Sequence, residues 1–455
     1  MTGTINVNYA TDYQLDQIDL ITSLGDGIVN LLPFMVELNL FEDIYSSTIS
    51  GELVVSDALG LISNFLLNGT EFIEIGFRKY SQDTYAFKKS YRIYKISNRT
   101  TGENNAYEVY SINFCSEEFL LSEQYRISKS FKSTQISKIV ETILTRYVKV
   151  GTPKTKPITI DDTYGVYDFV LPNKKLFETI NWLATYALPK NKIGADMLFY
   201  ETREGYFFKS LQTLYEQPIY QTFKFDPKNI SIELDQQVSN ALNFEVLDFF
   251  DTLGATMNGT FSNRVITINP FLRTFKDNTD FNYADYFYKS TKMNDGGPLI
   301  NDYQNRWKKT HYDSPPEELE VGTLRLVTEN TETKKQKYVA QAPDEVGSDI
   351  NIRKYMPNRV AQIALANYMR IKITVAGDAS LVAGKTVQFN TYGFFGTEDR
   401  KLDPLYSGKY IISAVRHIIK NKAYITVLEL AKESMSTPYA AYNTSVLQKY
   451  SDGNL

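Results

Sequence analysis

One stretch of the sequence occurs twice in related forms, as Phe41-Glu-Asp-Ile-Tyr-Ser-Ser-Thr-Ile-Ser-Gly-Glu-Leu53 and as Phe250-Asp-Thr-Leu-Gly-Ala-Thr-Met-Asn-Gly-Thr-Phe261. With one gap, the copies share the Phe, an acid, Ile or Leu, the Thr, Ile or Met, and the Gly. Three strand-like segments follow each copy, and they match in the order 72–77 with 387–389, 91–96 with 410–415, and 107–114 with 424–430. A recurring order of elements predicts two similar β domains in one chain.

Chance is the alternative explanation of this repeat, because any two antiparallel segments share the same alternation of apolar and polar residues. If the repeat is real, three chains could form a ring with six similar positions, and strand edges left open in one chain would be paired in the next. The strand order tests the idea, since two copies of one domain must have the same order.

The middle of the chain has helical periodicity. Ile136, Ile139, Val140, Ile143, Leu144 and Tyr147 lie on one face of a predicted helix. A second helix is predicted between Pro172-Asn173 and Pro189, and a hairpin is predicted around Arg203-Glu204-Gly205. The sequence therefore predicts an α+β domain between the two β domains.

These patterns divide the chain into five parts. We predict a first β domain at 1–118, an α+β middle domain at 119–220, a second β domain formed by 221–270 and 355–434, a polar insertion at 271–354 and a tail at 435–455. The insertion is rich in Asn, Asp, Tyr and Lys, and we expect it to be surface-exposed with one strand, at 323–327. Pro357 is expected to begin the helix that follows it.

Composition excludes several functional classes. The 455 residues include 1 Cys and 2 His, which is too few for a disulfide framework or for a zinc site built on thiolates. A net charge of −4 gives no basic surface for nucleic acid. The N-terminus resembles no secretory signal and no run is apolar enough for a membrane helix, so we expect no stable membrane insertion. We predict no cofactor and no metal.

The motifs that could carry chemistry have simpler explanations. Gly384-Lys385-Thr386 resembles the end of a phosphate loop, but a strand is predicted after it where that loop requires a helix. His417 lies on a predicted strand, which favours a structural role, and Cys115 is expected to be a small buried apolar residue. Acid pairs such as Asp161-Asp162 and Glu317-Glu318 leave a glycoside hydrolase on a β scaffold as a minor alternative.

Three segments together are similar to the hub proteins of contractile tails, a family that includes phage baseplate hubs, late control protein D and the hub part of VgrG spikes. The first is Met197–Leu211, with its Phe-Tyr, turn Gly and aromatic-x-Ser-Leu. The second is Gly377–Phe389, similar to an entry strand of the family. The third joins Ser407–His417 to Tyr424–Leu430, similar to the closing hairpin.

The resemblance implies a mainly β fold with an α+β middle domain, in which two tail-tube-like antiparallel β-barrel domains per chain give pseudo-sixfold symmetry as a homotrimer. It implies a location in the virion tail baseplate after assembly in the host cytoplasm. The expected partners are a tail-tube protein above, a spike protein below, wedge proteins around the hub, and DNA only passing through the lumen. No β-helical spike repeats follow, so the spike would be a separate protein.

We therefore predict a structural protein with no catalytic residues. Its wealth of Tyr and Phe, 33 and 27 residues, suits both sheet packing and interfaces. The candidate interface residues are Phe41, Gly51, Phe250, Gly259, Tyr410 and Tyr424. A receptor- or carbohydrate-binding tail protein is the main alternative, because exposed aromatic residues in an open groove would also fit this composition.

Overall fold

The computed structural model describes most of the chain, namely residues 13–22, 27–65, 67–79, 87–102, 106–152, 155–226, 238–261, 263–269, 273–278, 281, 283–299, 324–328, 352–392, 402–420 and 423–437. The fold is mainly β, with large antiparallel sheets. Most of the strands belong to one 13-stranded sheet that runs through both predicted β domains.

The N-terminal half of this sheet contains seven strands and one short α-helix. They are β1 (Tyr13–Ile21), β2 (Ile28–Asn30), β3 (Met35–Asp43), β4 (Ser50–Asp57), α1 (Leu61–Phe65), β5 (Phe72–Lys79), β6 (Phe87–Thr101) and β7 (Glu108–Cys115). A 3-10 turn (Leu32–Phe34) lies between β2 and β3. Inward-facing side chains alternate along these strands, as on β4, and form a core with Leu53, Ile75 and Phe114. The strand-like segments predicted at 72–77, 91–96 and 107–114 are thus strands of the structure.

The middle region contains α2 (Glu117–Gln124), β8 (Arg126–Ile127), β9 (Ser130–Thr134), α3 (Ile136–Thr142) with a π-helical continuation (Ile143–Val148), β10 (Ile158–Ile160), β11 (Tyr167–Val170), β12 (Lys174–Lys175), α4 (Leu176–Ala184), β13 (Met197–Thr202), β14 (Gly205–Ser210) and α5 (Leu211–Tyr215). The two predicted helices and the hairpin are confirmed. The apolar face of the first helix packs against α4 in one core.

The C-terminal half of the large sheet contains β15 (Ile219–Phe225), β16 (Asn243–Phe249), β20 (Met369–Ala376), β21 (Thr386–Thr391), β22 (Gly408–Lys420) and β23 (Ala423–Lys432). Between β16 and β20 lie α6 (Thr252–Met257), β17 (Arg264–Asn269), β18 (Thr274–Asn278), α7 (Tyr283–Lys289), β19 (Leu324–Thr328) and α8 (Ile352–Ala366). Strands β17, β18 and β19 form a separate small sheet.

The two halves have the same strand order. The first runs β3-β4-β7-β6-β5 and the second runs β16-β20-β23-β22-β21, so each strand of one half has a counterpart at the same position of the other. The register agrees as well, because β6 bulges after Ile93 against β7 and β22 bulges after Ile412 against β23. The halves differ at the next strand, since β1 pairs antiparallel with β5 whereas β15 pairs parallel with β21.

One part of the sequence alignment is wrong. Residues 41–53 form the end of β3, a turn and the start of β4, whereas the aligned segment 250–261 contains α6 and no strand. The counterpart of β4 is β20, more than a hundred residues further on. The insertion therefore lies in the connection between β16 and β20. At the equivalent position, the first repeat has only the short turn between β3 and β4. Turn residues carry little core patterning, so this boundary is hard to place from sequence.

The two halves are joined edge to edge within the chain. The first part of β22 pairs with β21, and its second part, from Ala414 to Lys420, pairs antiparallel with Asp43 to Glu37 of β3. Arg416 and Lys420 on β22 reach Glu37 on β3, at 3.4 and 2.6 Å. Backbone pairing and complementary charge thus make one sheet of two repeats. In the described residues, this strand path ends at β16 and at β2, so the division into two barrels remains a prediction.

The insertion is less exposed than predicted. Tyr283 and Phe287 on α7 are buried against α8. Tyr286 donates a hydrogen bond to the Ile193 carbonyl at 2.8 Å, and the Met293 amide donates to Glu433 at 2.6 Å. The segment is thus anchored to both the middle region and the second repeat, through β18 and α7 that the polar composition did not predict.

Two predicted boundaries also differ from the structure. Helix α8 contains Pro357 in its interior and begins before it, at Ile352. Met435, placed in the tail by its sequence, is buried and exchanges backbone hydrogen bonds with Gly296 and Gly297. The predicted tail from 438 onwards, like the acid pair Glu317-Glu318 and His311, lies outside the described residues.

Candidate functional site

The three regions meet at a buried cluster of charged side chains. Glu201, on β13 of the middle region, is fully buried and accepts hydrogen bonds from the Ile49 amide at 3.0 Å and from Lys156 Nζ at 2.6 Å. Lys156 also reaches Glu118 on α2, at 2.6 Å. The turn between β3 and β4 is thereby fixed to the middle region through one carboxylate.

A second buried carboxylate extends the cluster towards the second repeat. Glu42 on β3 accepts hydrogen bonds from the Arg203 amide at 3.1 Å and from the Ala383 amide at 3.2 Å. The Arg203 guanidinium donates to the Leu381 carbonyl at 2.7 Å. Strand β3, the β13–β14 turn and the loop before β21 are therefore held together at a single residue.

Burial controls the protonation of these groups. It raises the pKa of Glu42 and of Glu201 above the usual range, and in Glu201 the neighbouring Lys156 opposes this effect. Burial also lowers the pKa of Lys156, but Glu201 and Glu118 outweigh it and leave that pKa above its ordinary value. This arrangement favours a charged Lys156 held between two carboxylates, which is suited to rigid attachment of domains.

His417 is structural, as predicted. It is buried on β22, and its Nδ1 lies 2.9 Å from Tyr424 Oη and 3.3 Å from Thr426 Oγ1. Burial, followed by the charge of Arg203, holds the pKa of His417 well below its ordinary value, so the ring is neutral. The phosphate-loop resemblance is likewise structural, because Thr386 begins strand β21 and Lys385 pairs with Glu204 at 2.7 Å.

Lys432 is a buried cation at the end of β23. Its Nζ donates to the carbonyls of Leu405 and Ser407 and lies 4.7 Å from the centre of the Tyr410 ring. Burial lowers the pKa of Lys432 to about 7, although Asp403 and Glu433 act in the opposite direction. Charging this side chain in the folded state therefore has a free-energy cost.

This cost predicts a pH dependence of stability. Between the folded pKa near 7 and the unfolded value near 10.5, the unfolded chain binds more protons at Lys432, so the free energy of unfolding rises with pH. From pH 7 to pH 9 we expect a contribution of about 2 kcal/mol. Denaturant unfolding of the protein and of Lys432→Met should show a rise that is smaller in the variant. An equal rise in both would contradict the assignment.

The candidate interface residues fall into two groups. Phe41 is half-buried on β3 beneath Arg416, and Phe250 is 57% exposed with its ring against Phe249. Gly259 is buried in the turn after α6. For Phe41 and Phe250, a role between subunits stays a prediction.

The other three candidates lie in the interior of the chain. A Cβ at Gly51 would collide with the Phe114 ring, Tyr410 donates to the Tyr406 carbonyl, and Tyr424 contacts the Phe77 ring. Within the chain, Tyr410 and Tyr424 are buried side chains of the core and Gly51 leaves room for the Phe114 ring. A role between subunits stays a prediction for these residues too. Aromatic residues on strands carry the same sequence pattern in a core and at an interface, so the pattern did not separate the two.

The sequence also left Glu42, Glu201 and Lys156 unassigned. A signal was present for the two acids, since Glu42 occupies a strand position that alternation places inward, and Glu201 ends the apolar run Met-Leu-Phe-Tyr. A charged residue at an inward position indicates a buried partner, but the partner itself comes from a distant segment.

Cavities in the described part of the chain offer little enclosed volume for a ligand. An open groove of about 560 Å³ on the middle region is lined by residues such as Tyr125, Arg126 and Tyr147. A smaller cleft of about 170 Å³ contains Glu141 and Asp162, and Glu141 is paired with Lys138 at 2.8 Å. The described residues hold no cluster of His, Cys, Asp and Glu suited to a metal ion, and none of their helices is long and apolar enough to cross a membrane.

The chain is similar in sequence to a known phage protein. The chain is 21% identical over 404 residues to a probable baseplate hub protein, gp334, of Vibrio phage KVP40, covering 86% of this chain and 89% of the relative. The hub resemblance is confirmed. No protein-family model matches the sequence.

Two solved structures of tail proteins are similar to this chain, and one of them reaches a TM-score of 0.50. A tail protein from Neisseria meningitidis superimposes with a TM-score of 0.50 at 10% identity, covering 94% of this chain and 98% of that one. The 43 kDa tail protein of prophage MuSo2 from Shewanella oneidensis gives a TM-score of 0.49 at 8% identity, over 92% and 98% of the two chains. The first of these shows a common architecture along almost the whole length.

Proposed function

We propose that this protein is the structural hub of a contractile-tail baseplate, in which three copies form a ring between the sixfold tail tube and the threefold spike. The observation that carries the proposal is the repeat. Two five-strand units of identical order lie edge to edge in one chain, so three chains supply six similar units. Similarity to a baseplate hub protein along most of both chains supports the same role.

The buried charge cluster fits this mechanical role. Contraction of a sheath would load the hub along its axis, and a chain whose regions were loosely linked would deform under that load. Glu42 and Glu201 join β3 to the middle region and to the loop before β21 through buried hydrogen bonds. We assign these residues to force transmission, and we assign no residue to catalysis.

The ring would enclose a lumen for DNA. A chain with a net charge of −4 favours passage of DNA without adhesion. The upper face would bind a tail-tube protein and the lower face a separate spike protein, with wedge proteins outside and the polar tail ordering on the spike. A strongly basic bore in an image of the assembly would overturn the first point. Unaltered spike attachment after deletion of 438–455, which leaves the buried Met435 in place, would overturn the last.

The oligomeric state tests the ring directly. We expect the protein, alone or co-expressed with the tail-tube and spike proteins of its virus, to show a mass of three times the 52.1 kDa chain in native mass spectrometry. Electron microscopy of that species should show a ring with threefold symmetry. A chain that stays monomeric in the presence of both partners would contradict the hub and favour the receptor-binding alternative.

A further inference from the structure

Two strand edges that are paired with each other in one place have unpaired counterparts in the other repeat, within the part of the chain that the structure describes. Within the chain, the second half of β22 pairs with β3. The counterpart of β22 is β6 and the counterpart of β3 is β16. In the described residues, the second half of β6 has a partner only on its β7 side, and β16 has a partner only on its β20 side. The chain therefore contains one complete junction and the two separate halves of another.

Burial confirms that these halves are open. Leu40 on β3 is 2% exposed, whereas Val246, at the equivalent register position of β16, is 37% exposed. Ser413 in the β22 bulge is 2% exposed, whereas Tyr94 in the matching β6 bulge is 50% exposed. An exposed strand edge with unpaired backbone groups is a template for pairing with another chain.

The charges of the two open edges are complementary in the same sense as in the complete junction. There, the β22 strand supplies Arg416 and Lys420 and the β3 strand supplies Glu37. The open half of β6 carries Lys95 and Arg99, and β16 carries Glu245 and Asp248. β6, the counterpart of the basic strand β22, is thus also basic, and β16, the counterpart of the acidic strand β3, is also acidic. Within the chain, Arg99 pairs with Glu108, Glu245 with Lys372 and Asp248 with Arg370, so a contact across the new junction would extend these pairs.

We infer that residues 94–101 of β6 pair antiparallel with β16 of a second copy of this chain, which repeats the β22–β3 junction between subunits. The junction is heterologous, since one copy offers β6 and the next offers β16. A heterologous contact forms a ring when the rotation between neighbouring copies closes, and an open filament when it does not. This inference rests on the proposed hub ring and adds the strands that join its subunits.

The internal junction also fixes the register. In that junction Arg416 lies opposite Phe41. When the two repeats are aligned by their strand pairs and bulges, Ser97 corresponds to Arg416 and Asp248 corresponds to Phe41. Ser97 of one copy therefore faces Asp248 of the next. Facing residues of antiparallel strands are close enough for a disulfide.

Cysteine cross-linking tests this pairing in the full-length protein. The one native cysteine, Cys115, is buried. Under mild oxidation, Ser97→Cys with Asp248→Cys should give covalent dimers and trimers. The single variants, and a mismatched pair of Lys132→Cys with Asp248→Cys, should not. If a trimer is present by mass but the matched pair cross-links no better than the mismatched pair, the strand assignment is wrong while the ring stands.

Hydrogen exchange provides a test without substitutions. We expect amides in 94–101 and 243–249 to exchange at least ~10-fold more slowly in the assembled ring than in the dissociated chain. Equal exchange in both states would overturn the inference. A chain that forms no ring with its tail partners would overturn the hub proposal and this inference together.

Discussion

Replacing Glu201 with Gln is expected to lower the free energy of unfolding by about 3 kcal/mol, because the change removes a charged partner of Lys156 from a buried site. Lys156 would keep Glu118, at 2.6 Å, as its remaining carboxylate. The Ile49 amide would keep an acceptor, but one without charge. Chemical denaturation followed by circular dichroism measures the loss.

Glu178→Gln is the matched control for this prediction. Glu178 pairs with Lys174 on the surface of the same region, one helical turn away. Water screens a surface pair of this kind and it contributes little to stability, so the control should unfold almost as the parent does. Equal losses in the two variants would show that the buried cluster does not hold the regions together.

Gly51→Ile is expected to destabilise the protein by about 3 kcal/mol, and Phe114→Leu in the same chain should recover part of that loss. A Cβ at Gly51 would collide with the Phe114 ring, so any side chain there overpacks the first repeat. In the second repeat, the equivalent pair is Ile371 with Leu430. The first repeat thus pairs a residue without a side chain with a large ring, whereas the second pairs two side chains of intermediate size.

A double-mutant cycle measures this exchange. The two single variants and the double variant should show a favourable coupling of about 1 kcal/mol or more. Phe77→Leu is the control for the second change, since Phe77 is buried in the same core on β5, which does not adjoin β4 in the sheet order. Additive losses for Gly51→Ile with Phe114→Leu would mean that the two repeats pack by different rules.

The edge-to-edge junction bears on the ring that we propose. The β3–β22 junction inside the chain removes two strand edges from solvent, whereas in the described residues one edge of each kind, on β6 and on β16, has no partner. The proposed ring would pair these two edges through the same kind of contact. The mixed polar and aromatic character of the open β6 and β16 edges suits an interface formed between soluble subunits.

The insertion departs from the repeat, and its anchoring constrains its role. It occupies the β16–β20 connection, beside the β16 edge that we assign to the subunit contact. Tyr286 and Met293 fix one part of it to the middle region and to Glu433. Because it is held on both sides, this part is fixed relative to the middle region and to the second repeat.

Local patterns were sufficient for much of the fold. Apolar spacing identified α3 and α4, alternation identified β5, and Gly205 marked the turn of the β13–β14 hairpin. Each of these patterns lies within about a dozen residues and arises because one face of the helix or strand is buried. Composition by itself also pointed away from metal and nucleic-acid chemistry, because Cys and His are scarce and the net charge is small.

Only the tertiary structure decided which strands are neighbours and which charges are buried together. The sequence placed the second copy of β4 at 250–261, because a long insertion separates β16 from β20 and nothing local marks two distant strands as a pair. Glu42, Glu201 and Lys156 likewise come from separate regions, and their protonation depends on mutual distance and burial. Alternation fixes the face of a strand to which a side chain points, whereas its partners across the sheet follow from topology.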